Sequence, residues 1–365
     1  MSDAGSNSLL RWLNVLYVFV AAAFVLEYFV DTAWSESALF ICAALGIIPL
    51  ARAMGHATEE VAARVGPGLG AFLNATLGNA AEFIIAIVAL KAGSYDLIKA
   101  SITGSIIGNI LFILGLSALL GGLRRESQSF SPVAAESGSA LLFISIAAIS
   151  IPSVLNGLQP SAELDVHRLS VAVSIILLAT YAASLLFAFR THKHVFAGDT
   201  AESIMSAEPS APHGSMRNAV ILLVVTAVGI SFLAEFLVHT VEHASDKFGF
   251  GQTFVGVIIV AIVGNAAEHA AAIGFAIKDK MDLSVGIAIE SSKQIALFVG
   301  PVLVIIGALW GHPMDLDFTI FETAALGMSV LILALLVLDG KTNWLEGAML
   351  LALYAILAIA FYFSK

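Results

Sequence analysis

The pentapeptide Gly-Asn-Ala-Ala-Glu occurs twice in this chain, at Gly78–Glu82 and at Gly264–Glu268, each time deep inside a long apolar stretch. A carboxylate in such a place costs roughly a few kcal/mol or more, so it usually marks an ion or proton path. Each copy supplies one carboxylate (Glu82, Glu268), one amide oxygen (Asn79, Asn265) and one glycine (Gly78, Gly264) able to open a helix and free backbone carbonyls. The next apolar stretch in each half adds further polar groups: Thr103, Ser105 and Asn109 in the first, Ser291, Ser292 and Gln294 in the second. Every candidate ligand is an oxygen. Carboxylate and carbonyl oxygens suit a hard divalent cation, with Ca²⁺ favoured by a flexible site of about six to eight ligands. No Cys or paired His stands in these runs to favour a softer metal.

Charge counting suggests a coupling. Two ionised glutamates neutralise one divalent cation. Emptied of metal, two close carboxylates in a low dielectric cannot both stay charged, so protons take the metal's place. One Ca²⁺ and two protons become alternative occupants of a single site, and exchange follows if only occupied forms reorient. The bland alternative, two paired core polar residues with no transport role, fits poorly with an intramembrane Glu that is repeated.

The elements that must position these groups are apolar helices. The 365 residues are 59% hydrophobic and only 12% charged, with mean hydropathy +0.95, against about 25% charge in a soluble domain. The expected fold class is therefore an all-α polytopic membrane protein. A requirement of roughly 20 mostly apolar residues per span gives about eleven transmembrane helices. They are placed near 11–30, 38–54, 68–91, 96–121, 132–153, 168–190, 217–240, 251–277, 282–310, 318–338 and 343–363. The first could be a signal peptide, but its length and the lack of a clear cleavage site favour a retained helix. The single cysteine, Cys42, permits no intrachain disulfide. The net charge of −10 and the absence of any basic cluster beyond Arg124–Arg125 argue against a nucleic-acid partner. The lipid bilayer is the expected surrounding, and a homo-oligomer is left open.

The repeat extends beyond the pentapeptide. Gly46-Ile47 matches Gly229-Ile230, Leu50-Ala51 matches Leu233-Ala234, and His56 and Glu59 match His239 and Glu242. Gly66 and Gly68 match Gly249 and Gly251, and Asp96-Leu97 matches Asp282-Leu283. Spans two to six thus correspond to spans seven to eleven. Five is odd, so the second copy enters the membrane from the opposite side: an extra N-terminal helix (1–37) precedes two inverted five-helix repeats, 38–190 and 217–365. Inverted repeats are the sequence pattern of a secondary transporter, with its site near the bilayer midplane. The polar stretch 191–216, with Pro209 and Pro212, reads as a linker between them. Eleven of the Lys and Arg residues fall on the linker's side and five on the other, with Lys293 inside a span. The richer side is expected to be cytoplasmic, which puts the N-terminus and linker inside and the C-terminus outside.

Leu77-Gly-Asn-Ala-Ala-Glu82-Phe-Ile with Thr103-Gly-Ser-Ile-Ile-Gly-Asn109-Ile-Leu, and Val263-Gly-Asn-Ala-Ala-Glu268-His269 with Gln294-Ile-Ala-Leu-Phe298, resemble the two signature repeats of the calcium/proton antiporters. These form the cation/proton exchanger branch of the calcium/cation antiporter superfamily. The resemblance covers nearly the whole chain from the second span onward. It implies an eleven-helix fold, Ca²⁺ efflux driven by proton entry, Glu82 and Glu268 as cation- and proton-binding groups, and carbonyls at Gly78 and Gly264 as helpers. His269, directly after Glu268, looks like the proton-coupled branch rather than the sodium-coupled one. Ca²⁺ and H⁺ are then transported ions and no cofactor is expected. Where the family's second polar helix commonly reads Gly-Ser-Ser/Thr-apolar-Gln, this chain reads Glu290-Ser291-Ser292-Lys293-Gln294. A third acid and a lysine share one helix face there, three residues apart, and are expected to neutralise each other. They join His269, Glu59 and Glu242 as modulator candidates.

Other motifs compete. His239-Thr-Val-Glu242-His243 matches a zinc-protease pattern and would make the chain an intramembrane zinc hydrolase, dependent on His239 and His243. Its repeat partner, His56-Ala-Thr-Glu59-Glu60, lacks the second His, so the twinned His-x-x-Glu reads better as a solvated helix end or vestibule. His192 and His194 read as solvated linker residues. Gly104, Gly108 and Gly115 read as close helix packing rather than dinucleotide binding. An exchanger for Na⁺ or another divalent such as Mn²⁺, and a passive cation channel, remain the transport alternatives.

Overall fold

The computed structural model describes residues 14–32, 34–65, 70, 73–74, 76–158, 165–191 and 215–364. The linker, with His192 and His194, and the repeat glycines Gly66 and Gly68 lie outside these residues. Eleven helices are present among those described: α1 Tyr17–Phe29, α2 Ser35–Ala62, α3 Ala80–Lys91, α4 Tyr95–Gly122, α5 Pro132–Leu158, α6 Val166–Leu186, α7 Met216–Phe248, α8 Gln252–Ile277, α9 Met281–Trp310, α10 Ile320–Leu336 and α11 Trp344–Phe363. Eight of them are long and apolar enough to cross a membrane. The fold is a polytopic membrane architecture of eleven helices, as the hydropathy anticipated.

Three details depart from expectation. The apolar run expected as one span over 68–91 is broken: Leu73, Asn74, Thr76 and Leu77 are helical, Gly78 and Asn79 form a turn, and a second helical piece, α3, begins at Ala80. The twelve residues of α3 rise about 18 Å, so this piece alone falls short of the ~30 Å hydrocarbon core. Second, two short strands, β1 Gln128–Ser129 and β2 Lys341–Thr342, pair antiparallel in an otherwise helical chain. Third, α4, α8 and α9 each contain a π-helical turn, at Gly108–Ile113, Val255–Val260 and Ile295–Val299. Such turns insert an extra residue and are frequent at functional sites. Those of α4 and α9 overlap or directly follow the polar runs singled out above.

The contacts divide the chain into two compact units. The first comprises Met1–Ser101, Ala211–Glu268 and Ala360–Lys365. Its centre is the pairing of α2 with α7. A Cβ on Gly46 would lie 3.0 Å from Leu233 Cδ1, and a Cβ on Gly229 would lie 3.0 Å from Leu50 Cδ1. Each Leu of a repeat-matched pair thus seats on the other helix's glycine, a reciprocal contact that only a missing side chain allows. The backbone of α1 at Val20 closes over Gly46 from another side, 3.2 Å from the same Cβ position. Phe24 of α1 meets Phe232 and Phe236 edge-on, and the Tyr17 hydroxyl donates to the Pro49 carbonyl.

The second unit comprises Ile102–Ser210 and His269–Ile359. Gly115 of α4 and Gly347 of α11 bring those helices into near backbone contact, and Gly138 of α5 receives Ile289 of α9. The segment before α10 has no regular secondary structure, with Met314, Leu316 and Phe318 buried. It is held by backbone bonds to the Ser153 and Ser170 hydroxyls and by Asn156 donating to Asp317. Arg125 donates to the Gly121 and Ile277 carbonyls and pairs with Asp279, tying the ends of α4 and α8 together.

Candidate functional site

In the first unit, α3 and α8 bring the two repeated motifs together. Glu82 lies in the first turn of α3, where unsatisfied N–H groups and the positive end of the helix dipole favour a carboxylate. It is buried, and its Oε1 accepts no hydrogen bond among the described residues. The carboxylate rests against the backbone of α8 at Gly264: a Cβ there would lie 3.0 Å from Glu82 Cγ and 3.3 Å from Oε1. Glu268, one turn further along α8, is close enough for the two charges to act on each other. A buried carboxylate beside a half-buried one is a natural place for a divalent cation or for protons.

The two glycines do different work. Gly78 sits in the turn before α3, so the helix opens there as expected. Gly264 sits inside the continuous helical stretch Ala261–Ile277, so the expected opening at this copy does not occur. Its role is steric, giving Glu82 room at the helix surface. The nearest loosening of α8 is the π turn that ends at Val260. Asn79 and Asn265 are both buried, and the Asn265 amide nitrogen donates to the Ala261 carbonyl of its own helix.

The second unit holds the remaining candidates. Thr103, Ser105, Asn109, Ser291, Ser292 and Gln294 are all buried. Ser292 donates to the Ala288 carbonyl within its helix. The Asn109 amide nitrogen donates to Ser291 Oγ at 3.0 Å, and its oxygen faces His269 Nε2 at 3.1 Å. Asn109 was expected as a cation ligand; its amide is engaged at both ends by protein. Lys293 Nζ meets Glu290 Oε1 at 2.6 Å, the expected neutralising pair, with the lysine buried and the acid partly exposed. Sequence reasoning missed the Asn109–His269 contact because it joins residues 160 positions apart.

The His-x-x-Glu copies lie apart from these groups in sequence and are exposed. His56 and Glu59 form a loose pair at 3.7 Å, Gln252 donates to Glu242, and His243 Nδ1 pairs with Glu36 at 3.0 Å.

The sequence pattern of the sodium/calcium exchanger protein family matches residues 35–190 and again 218–363. The chain belongs to this family. Within it, the chain is 44% identical to a Ca²⁺/H⁺ antiporter of Synechocystis sp. over 362 residues, 96% of each chain. It is 42% identical to the Ca²⁺/H⁺ antiporter ChaA of Bacillus subtilis, over 96% of this chain and 99% of the relative. Among solved structures, that of native YfkE superposes with a TM-score of 0.78 at 38% identity, covering 95% of this chain and 99% of the other. An H⁺/Ca²⁺ exchanger structure superposes with a TM-score of 0.70 at 15% identity, which speaks for the exchanger fold alone. These exchanger relatives carry transporters' names, not enzymes', and the zinc-hydrolase alternative is set aside on that ground.

Proposed function

We propose that this chain exchanges Ca²⁺ for protons across a membrane by alternating access, with Glu82 and Glu268 as one shared site. The observation that carries the reading is the Glu82 carboxylate, buried at the head of α3, laid on the Gly264 backbone and within electrostatic reach of Glu268. The names of relatives at 42–44% identity over nearly the whole chain support the same ion pair. Asn79, Asn265 and the backbone at Gly78 are the supporting oxygens nearest in sequence to the two acids. Ca²⁺ is cargo in this scheme, and no resident cofactor is needed.

The reading divides the chain into an extra helix (1–37), a first repeat (38–190), a cytoplasmic linker (191–216) and a second repeat (217–365). The reciprocal seating of Leu50 on Gly229 and Leu233 on Gly46 supports the repeat pairing. The excess of Lys and Arg on the linker's side supports a cytoplasmic N-terminus and an extracytoplasmic C-terminus. In inverted vesicles with an imposed pH gradient, Ca²⁺ uptake should collapse when the gradient is dissipated. Mn²⁺ or Na⁺ carried in preference to Ca²⁺ would replace the cation, and flux indifferent to the proton gradient would replace exchange with a channel.

A further inference from the structure

Asn109 lies in the π turn of α4, 2% exposed, where three helices of the second unit meet on its amide. Its nitrogen donates to Ser291 of α9. Its oxygen must therefore be the acceptor for His269 of α8, and Nε2 of that ring must carry the hydrogen. The ring is held in place by more than this bond. Phe112, also in the π turn, meets the imidazole edge-on at 6.2 Å, and Tyr354 of α11 stacks behind Phe112 at 5.0 Å. With Nε2 protonated, turning the amide over would set donor against donor at the ring, so the amide's orientation and the ring's tautomer are fixed together.

From this geometry we propose that His269 is a positioning residue: its Nε2–H fixes the Asn109 amide, and through it the Ser291 hydroxyl, making Asn109 a strut between α4, α8 and α9 rather than a cation ligand. Asn109 and Phe112 are three residues apart on one helix face, which sets both against the ring. The consequence for transport rests on the exchange reading above, because α8 carries Glu268 immediately before His269.

The test uses the full-length protein in proteoliposomes, with Ca²⁺ uptake driven by a pH gradient. His269→Gln keeps an N–H donor of similar reach and should retain uptake within about threefold of wild type. His269→Leu leaves the Asn109 oxygen buried without its donor and should lower the rate by about tenfold or more. The decisive readout is a mutant cycle. If Asn109 acts only through this chain, adding Asn109→Leu to His269→Leu should cost little beyond the single change, whereas a separate ligand role would multiply the two losses. His269→Asn, polar but too short to reach, substitutes for His269→Leu if the latter does not fold. A folded His269→Gln as inactive as His269→Leu would overturn the proposal. So would a His269→Leu of wild-type rate, or losses that multiply. Wild-type protein that moves no Ca²⁺ under a pH gradient would instead strike the exchange reading, and the same cycle would then be read in thermal unfolding, where additive losses overturn the strut.

Discussion

Gly264→Ala separates the two demands placed on one glycine. A methyl group at this position would lie 3.0 Å from Glu82 Cγ, 3.3 Å from Oε1 and 3.4 Å from Cδ. Carbon atoms rest about 3.5–4.0 Å apart, so the Glu82 side chain must retreat by about half an ångström or more. Cγ is not the loose end of the side chain, so rotation of the carboxylate alone does not relieve the contact. Overpacking of this kind costs about 1–3 kcal/mol. Gly264 lies within a continuous helix, however, where alanine is favoured over glycine by about 0.5–1 kcal/mol. The net loss of stability is therefore only about 0–2.5 kcal/mol. Activity should fall far more, since a misplacement of about 1 Å can cost on the order of a hundredfold and half that distance about tenfold. The assay pairs pH-driven Ca²⁺ uptake in proteoliposomes with thermal unfolding of the purified protein. Gly274→Ala is the control, because a Cβ there meets nothing within 4 Å. A Gly264→Ala protein that transports within twofold of wild type would refute the claim that Glu82 is held in place by the backbone of α8.

Three further outcomes follow from the same structure. Lys293→Leu alone should damage folding or slow transport, because it leaves Glu290 without its 2.6 Å partner; Glu290→Gly with Lys293→Leu should largely restore both, and equal behaviour of single and double variants would show the pair to be uncoupled. With two glutamates exchanging one divalent cation for two protons, no net charge moves, so uptake at fixed pH gradient should be indifferent to potassium-diffusion potentials of either sign; a several-fold change with voltage would require a third titrating group, with Glu290 the first candidate. His243→Ala should keep transport, since that exposed side chain pairs with Glu36 at a helix end, and loss of all exchange in a folded His243→Ala would return the motif to the site.

Much of the architecture was legible because the membrane imposes it. Backbone groups in lipid must be satisfied internally, so apolar runs of sufficient length become helices, and each of the eleven expected spans overlaps an observed helix, eight of them long and apolar enough to cross. The third was legible only in part. Two copies of one pentapeptide take different backbones, a turn leading into α3 at Gly78-Asn79 and unbroken helix at Gly264-Asn265. Local sequence cannot distinguish them because the surroundings decide: at Gly264 the neighbour is Glu82, and the glycine serves packing rather than chain reversal. The acids themselves were legible from the cost of placing charge in an apolar run. The partners of Asn109 were not, since Ser291 and His269 lie 182 and 160 residues away and no local pattern announces them. The two-residue ribbon was equally silent, being too short for any alternation to register.

The shared-site claim is tested most directly by removing one carboxylate at a time without changing its shape. Glu82→Gln and Glu268→Gln each keep size and hydrogen-bonding ability while deleting one charge and one proton position. Purified, folded and reconstituted, each should lose pH-driven Ca²⁺ uptake to the level of empty liposomes. Near-normal Ca²⁺/H⁺ exchange by either variant would contradict the account.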